Sequence, residues 1–193
     1  MSTYNQSYSD YELKEATVKF EGENEIASSK VGCVGSIEET MDTRTVVKKC
    51  EGIVVKSVTK GTGSGSLKLS LHMMWPVYVK AFGMDFSDQL APGVYAYGKN
   101  SKHRRFLLTG KVLDEDDNEK LVAYPQCSIS SGKARKITNG SEEVAEMEVD
   151  VAVFPDENGQ GVYECMVAEL EEGSEIATKW LTGFTPDLIK KTA

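Results

Sequence analysis

A β-rich fold with one short helix packed across a sheet is what this sequence predicts, on three observations. Strand-like alternation and β-branched runs recur along most of the 193 residues. Glycine-rich and acidic turn signals punctuate those runs. A single stretch, Met73 to Phe82, breaks the pattern with apolar residues at helical spacing.

Residues 1–13 are polar and tyrosine-rich without a clean period, and read as an N-terminal arm ahead of a single β-rich domain over 14–193. Ala16 to Phe20 alternates as a strand, Glu21 to Asn24 is a polar break, and Val31 to Ile37 is strand-like again. The valine- and threonine-rich run from Thr45 to Val58 reads as one long strand, or as two broken at Glu51-Gly52. Further strands are expected at Gly93–Tyr97, Arg105–Asp114, Lys120–Tyr124, Ser128–Lys133, Val144–Phe154 and Gly161–Glu169. Turns fall at Asp114–Asn118 and at Asp156–Gly159. The C-terminal segment 176–193 contains Ile176–Leu181 and Thr185–Ile189, which read as a helical turn or a docked tail.

The helical stretch places Met74, Trp75, Val77, Tyr78, Ala81 and Phe82 in a packing helix, with Pro76 tolerated in its first turn. Before it runs Thr59, Lys60, Gly61, Thr62, Gly63, Ser64, Gly65 and Ser66, a glycine-serine segment with little side chain to stiffen it. A phosphate-binding loop needs a lysine and Ser or Thr after its last glycine, opening a helix. Here Ser66 to Leu71 alternates as a strand instead, with Leu67, Leu69 and Leu71 on one face, so the segment reads as a turn between two strands.

Thirty acidic residues against 22 basic ones give a formal charge of −8, which disfavours nonspecific grip on a phosphate backbone. No segment approaches the roughly 20 apolar residues that span a bilayer. The opening residues lack the basic, apolar, small-residue order of a secretory signal, so a cytoplasmic origin is expected. Cys33, Cys50, Cys127 and Cys165 are far apart and form no metal spacing, and read as reduced packing residues. His72 and His103 stand in no metal-ligand motif, and His103 belongs to the basic patch Lys102–Arg105. The acidic run Asp114–Glu119 lacks the glycine and terminal glutamate of a calcium loop. With no nucleophile elbow or dinucleotide fingerprint, no catalytic residue, cofactor or metal site is assigned.

One strand has an unusual charge order. Glu146, Glu148 and Asp150 alternate with Met147, Val149, Val151 and Val153, which makes one face acidic and the other apolar. That pattern is first that of an ordinary sheet with one wet face; the sharper reading is an acidic wall along a wide, hydrated channel.

The polar arm, the β-rich first half, the segment KGTGSGSLKLSLHMMWPVYVKAFGM, the VAEMEVDV strand and the WLTGFTPDLI end together resemble the major tail protein, or tail tube protein, of long-tailed bacteriophages. The resemblance implies a β-sandwich or barrel-like domain with a flanking helix, a long hairpin loop and terminal arms. It implies a non-enzymatic virion protein, made in the host cytoplasm, that stacks as hexameric rings into a hollow tube through which DNA passes without being gripped. Its partners would be itself, a tape-measure protein, tail-tip and tail-terminator proteins, and no membrane. On that resemblance Thr59–Ser66 is the ring-stacking loop, and Glu146, Glu148 and Asp150 line the lumen. Two other readings stand beside it: the tube protein of a contractile tail or secretion machine, and a soluble β-barrel ligand-binding module with a cavity among Trp75, Tyr78, Tyr95 and Tyr97.

Overall fold

The computed structural model describes residues 4–22, 29–85 and 90–190. Its strands are β1 (Glu12–Phe20), β2 (Ser29–Lys30), β3 (Gly32–Cys50), β4 (Ile53–Met73), β5 (Phe106–Leu113), β6 (Glu119–Ile129), β7 (Met147–Phe154) and β8 (Tyr163–Met166). Helix α1 spans Trp75–Ala81 and α2 spans Glu175–Gly183. The chain is thus mainly β with a flanking helix, as its alternation predicts.

All pairings are antiparallel, in the order β2-β1-β5-β6-β7-β4-β3. One edge of β6 is shared: Gln126–Ile129 pair with β7, and Lys120–Ala123 pair with β8. The sheet curls because residues 29–32 bond to both of its ends. Val31 N–H donates to the Ala16 carbonyl at 3.0 Å, and Met74 N–H donates to the Val31 carbonyl at 2.8 Å. The curl does not close into a barrel.

Residues opposite each other on antiparallel strands share a face. Leu67 faces Val151, Leu69 faces Val149 and Leu71 faces Met147, so two apolar rows line the concave side together. Val18, Phe20, Phe106, Leu108 and Ile129 complete that core, and α1 covers it with Val77, Tyr78, Val79, Ala81 and Phe82. Each fully buried Leu or Val contributes about 1.5–3 kcal/mol. On the opposite face α2 seats Trp180 and Phe184 over Leu121 and Ala123, and the Trp180 indole N–H donates to the Val122 carbonyl at 2.9 Å.

The structure corrects the reading of Lys60–Ser66 as a turn. Those residues lie within the 21-residue strand β4, with Gly61 opposite Thr43, Gly65 opposite Met41 and Ser66 opposite Thr40. Glycine is needed there for close approach. A Cβ at Gly65 would meet the Thr40 carbonyl at 2.6 Å, one at Gly161 would meet the Gly63 carbonyl at 2.0 Å, and one at Gly63 would meet the Gly159 carbonyl at 2.5 Å. The turn after β7 therefore rests on bare β4 backbone. The true hairpin tip is Glu51-Gly52, both with positive φ (49° and 83°), the geometry of a tight two-residue turn.

Smaller corrections follow from hydrogen bonding. Gly93–Tyr97 is not a strand, since Val94 N–H closes a turn onto the Ala91 carbonyl. Ser128 and Ile129 end β6, after which Ser130 and Ser131 N–H both turn to the Asp150 carbonyl. Met74 and Trp75 precede the buried stripe of α1 and are about half exposed. Cys127 is buried and Cys165 partly so, but Cys33 and Cys50 are exposed; all four are free. The arm docks on its own chain, Tyr8 hydroxyl donating to the Val112 carbonyl and Tyr4 hydroxyl to Asp114. Arm residues 1–3, tail residues 191–193, and positions 23 and 24 of the expected polar break lie outside the described residues.

Two aspartates build the turns in the same way. The Asp114 carboxylate accepts from the backbone N–H of Asp116 and Asn118, and Asp156 accepts from those of Asn158 and Gln160. Tyr4 adds a bond to Asp114, and Tyr163 adds one to Asp156. Burial pushes both carboxyls up, but these donors together outweigh it and hold both below the ordinary value. Their stabilisation is complete above about pH 4, the unfolded value, and is lost as pH falls through the depressed folded values. The double variant Asp114→Asn, Asp156→Asn should therefore lose less stability than the native chain between neutral and strongly acidic pH, as read from urea midpoints. For the outer layer, Trp180→Ala should cost about 3–5 kcal/mol. Trp180→Phe, which keeps the ring but removes the buried N–H donor, should cost about half that or less.

Candidate assembly surfaces

Strand β4 pairs with β7 only from Gly65 to Leu71, and β3 pairs only with β4. From Thr43 and Gly61 outward, the two strands therefore leave the sheet as a free arm, about 25 Å long at 3.3 Å per residue. Among residues 43–61 only Val58 is even partly covered. The arm exposes Val46, Val47, Ile53, Val54 and Val55, with Ile53 at 70%.

Cross-strand register sorts its side chains by face. Arg44 opposes Lys60, Val46 opposes Val58 and Lys48 opposes Lys56 on one side. Thr45 and Thr59 oppose each other on the other side, their hydroxyls 2.8 Å apart. Directly opposed like charges are unfavourable in a sheet, and the arm carries two such pairs. With Lys49 and the single anion Glu51, residues 43–61 total +4, so the remainder of the chain holds −12 of the overall −8.

The sequence-predicted stacking residues Thr59–Ser66 sit at the root of this arm, in β4, and the tip at 46–58 was not among the candidates. Its signal was present: Glu51-Gly52 between two valine-rich runs is a hairpin signature. The charge pairs were invisible without register.

Glu148 and Asp150 project from the convex face of β7, opposite Ser70 and Lys68 of β4. Glu38 of β3, also opposite Lys68, joins that face. Glu146 precedes the strand and accepts a bond from the Ser70 hydroxyl at 2.6 Å. Gly35 leaves room for it, because a Cβ there would stand 2.1 Å from a Glu146 oxygen. Over β3, β4 and β7, four exposed carboxylates thus share one sheet face with Lys68. On the concave side the Tyr124 hydroxyl donates to Glu39 at 2.6 Å; burial, then that carboxylate, pushes its pKa well up. No sequence pattern pointed to this pair.

The end of the sheet opposite the arm is aromatic. Trp75 stacks on Tyr78 at 5.5 Å and meets Tyr95 edge-on at 5.7 Å. Tyr97 lies beside His103, whose Nδ1 donates to the Ile129 carbonyl at 2.8 Å. The four aromatics proposed to enclose a ligand instead border an open groove of about 640 Å³. It adjoins a larger groove, about 1440 Å³, between α1 and residues 134–146, into which His72 opens. The basic patch is partly paired within the chain, Arg104 to Asp85 at 2.7 Å and Arg105 over the Phe154 ring. Among the described residues no group of three or more His, Cys, Asp or Glu side chains is arranged to hold a metal.

No family model and no curated protein matches the chain. Among solved structures it is similar to the anti-feeding prophage cap, described as the tube-terminating cap, with 10% identity over 86% of this chain and 97% of that one, at a TM-score of 0.41. It is also similar to a chain of the six-fold symmetrised anti-feeding prophage baseplate, with 11% identity over 88% of this chain and 100% of that one, at a TM-score of 0.41. Likenesses this distant assign no role to individual residues.

Proposed function

We propose that this chain is a structural subunit of a phage-type tail, without catalytic activity, which assembles with copies of itself into stacked hexameric rings enclosing a tube. The observation that carries this reading is the arm. A two-stranded hairpin is marginal in water on its own, and this one adds exposed valines and opposed cations. Such an element gains its stabilisation from a partner, and a second copy is the partner every molecule has at hand.

The acidic convex face formed by Glu146, Glu148, Asp150 and Glu38 suits the wall of a bore. Carboxylates repel phosphate, so DNA would slide past, whereas a cationic lining would release counterions and hold it. The arm root at Thr59–Ser66 then acts in stacking by fixing where the arm leaves the body. Tape-measure, tail-tip and tail-terminator proteins are the expected partners inside and at the ends of the tube. Among the described residues no helix is long and apolar enough to cross a membrane.

Negative-stain electron microscopy over a concentration series, with light scattering for mass, tests this reading. The native chain should give rings or tubes, alone or seeded with tail-tip components. A variant in which 46–58 is replaced by Asn-Gly, joining the paired Thr45 and Thr59, should keep its melting temperature and fail to elongate. Normal tubes from the shortened variant would remove the arm from stacking, and a native chain that stays monomeric even when seeded would end the tube reading.

A further inference from the structure

The arm tip and the large groove lie at opposite ends of the same strand. The tip is reached at Ile53, and the groove is walled by Ser70, His72 and Met73. At 3.3 Å per residue roughly 60 Å of strand separates them, so an arm cannot reach the groove of its own chain. The groove's volume exceeds the roughly 300–1,000 Å³ usual for small-molecule sites, which suits a polypeptide segment better than a metabolite.

Both surfaces carry large apolar side chains that are about half exposed or more. On the arm these are the five valine and isoleucine residues around Glu51-Gly52. At the groove they are Trp75, Ile137 at 72% exposure and Val144 at 81%. Large aromatic and aliphatic groups left open in this way mark interaction sites.

The charges are compatible as well. Glu143, Glu146 and Glu148 line the groove together with Arg135 and Lys136, and Glu142 stands beside Glu143 in the chain. The arm presents Lys48, Lys49 and Lys56 behind a tip whose single charge is Glu51. A cationic arm seated there meets a lining of three carboxylates and two cations, so its lysines and its Glu51 both find opposite charge. That contact would also relieve the repulsion between Lys48 and Lys56, which oppose each other on the arm.

We propose that the groove between α1 and residues 134–146 is the seat for the arm tip of a second copy of this chain. The inference rests on the assembly reading and adds the receiving surface to it. The contact joins two different surfaces, so every added copy presents a fresh arm and a fresh groove. Growth is therefore head-to-tail and open-ended along the stacking direction. Because Glu146 and Glu148 also line the groove, a seated arm covers that end of the acidic face and leaves Asp150 and Glu38 open on it.

The tip supplies its own probe, since Cys50 is exposed beside the turn. In a Cys33→Ser background, Val144→Cys places a thiol at the groove, and Asp116→Cys places one on the acidic turn at the arm's own end of the sheet. After mild oxidation of assembled protein, position 144 should link to Cys50 between copies about tenfold or more over position 116, as for thiols held at high effective concentration. Should the substitutions disturb assembly, carbodiimide coupling of an isotopically mixed native assembly gives the same answer, with Lys48, Lys49 or Lys56 joined to Glu142 or Glu143 across copies. Assemblies whose arm links to position 116, or to neither site, overturn the seat and leave the assembly reading standing. A chain that never assembles removes the assembly reading first, and the seat with it.

Discussion

The pairing of β4 with β7 is the interaction on which the rest of this protein depends. Leu67, Leu69 and Leu71 meet Val151, Val149 and Met147 on one face, while Ser66, Lys68 and Ser70 meet Ala152, Asp150 and Glu148 on the other. A slip of one residue would exchange the faces, burying charge and exposing leucine, so the register is strongly specified. The same strand continues past the sheet to become half of the arm. Its inner half is held by the core, and its outer half is held only by β3. Core and free arm are thus two ends of one continuous strand.

The two sides of the curled sheet are stabilised differently. The concave side is a conventional core, filled by rows from five strands and capped by α1. Among the described residues the other side is covered over β1, β5, β6 and β8, where Trp180 and Phe184 pack, and where the Thr17 hydroxyl donates to the Leu181 carbonyl. Over β7, β4 and β3 that side is bare and acidic. Antiparallel sheets tolerate such a wet face. It is the covered patch beside it that needs explanation, and the indole anchored to the Val122 carbonyl supplies one.

The sequence showed the strands where alternation was clean. Ala16–Phe20, Arg105–Asp114 and Val144–Phe154 each contain an observed strand or most of one, and the helix after the leucine alternation lies where its spacing puts it. The acidic and apolar faces of β7 were legible for the same reason: a period of two is a local property. What failed was the meaning of glycine. Gly61, Gly63 and Gly65 look like a flexible turn when only neighbours in sequence are known, yet two of them are small because Thr40, Met41 and the turn at Gly159 press on them from elsewhere in the chain. Tertiary contact of that kind leaves no local mark. The opposed cations of the arm were hidden likewise, because pairing Arg44 with Lys60 requires knowing that the chain reverses at Glu51-Gly52.

The contact of Gly63 with Gly159 and Gly161 also makes the arm a lever. Backbone packs on backbone there, with Pro155 and Met41 beside it, so the angle at which the hairpin leaves the body is constrained at its root. A tilt of about 10° at that point would move a tip about 25 Å away by about 4 Å, close to the spacing between neighbouring strands. In a polymer, an error of that size recurs at every subunit and accumulates along the axis. Two missing methyl groups at the pivot would then govern the pitch and straightness of an object many subunits long.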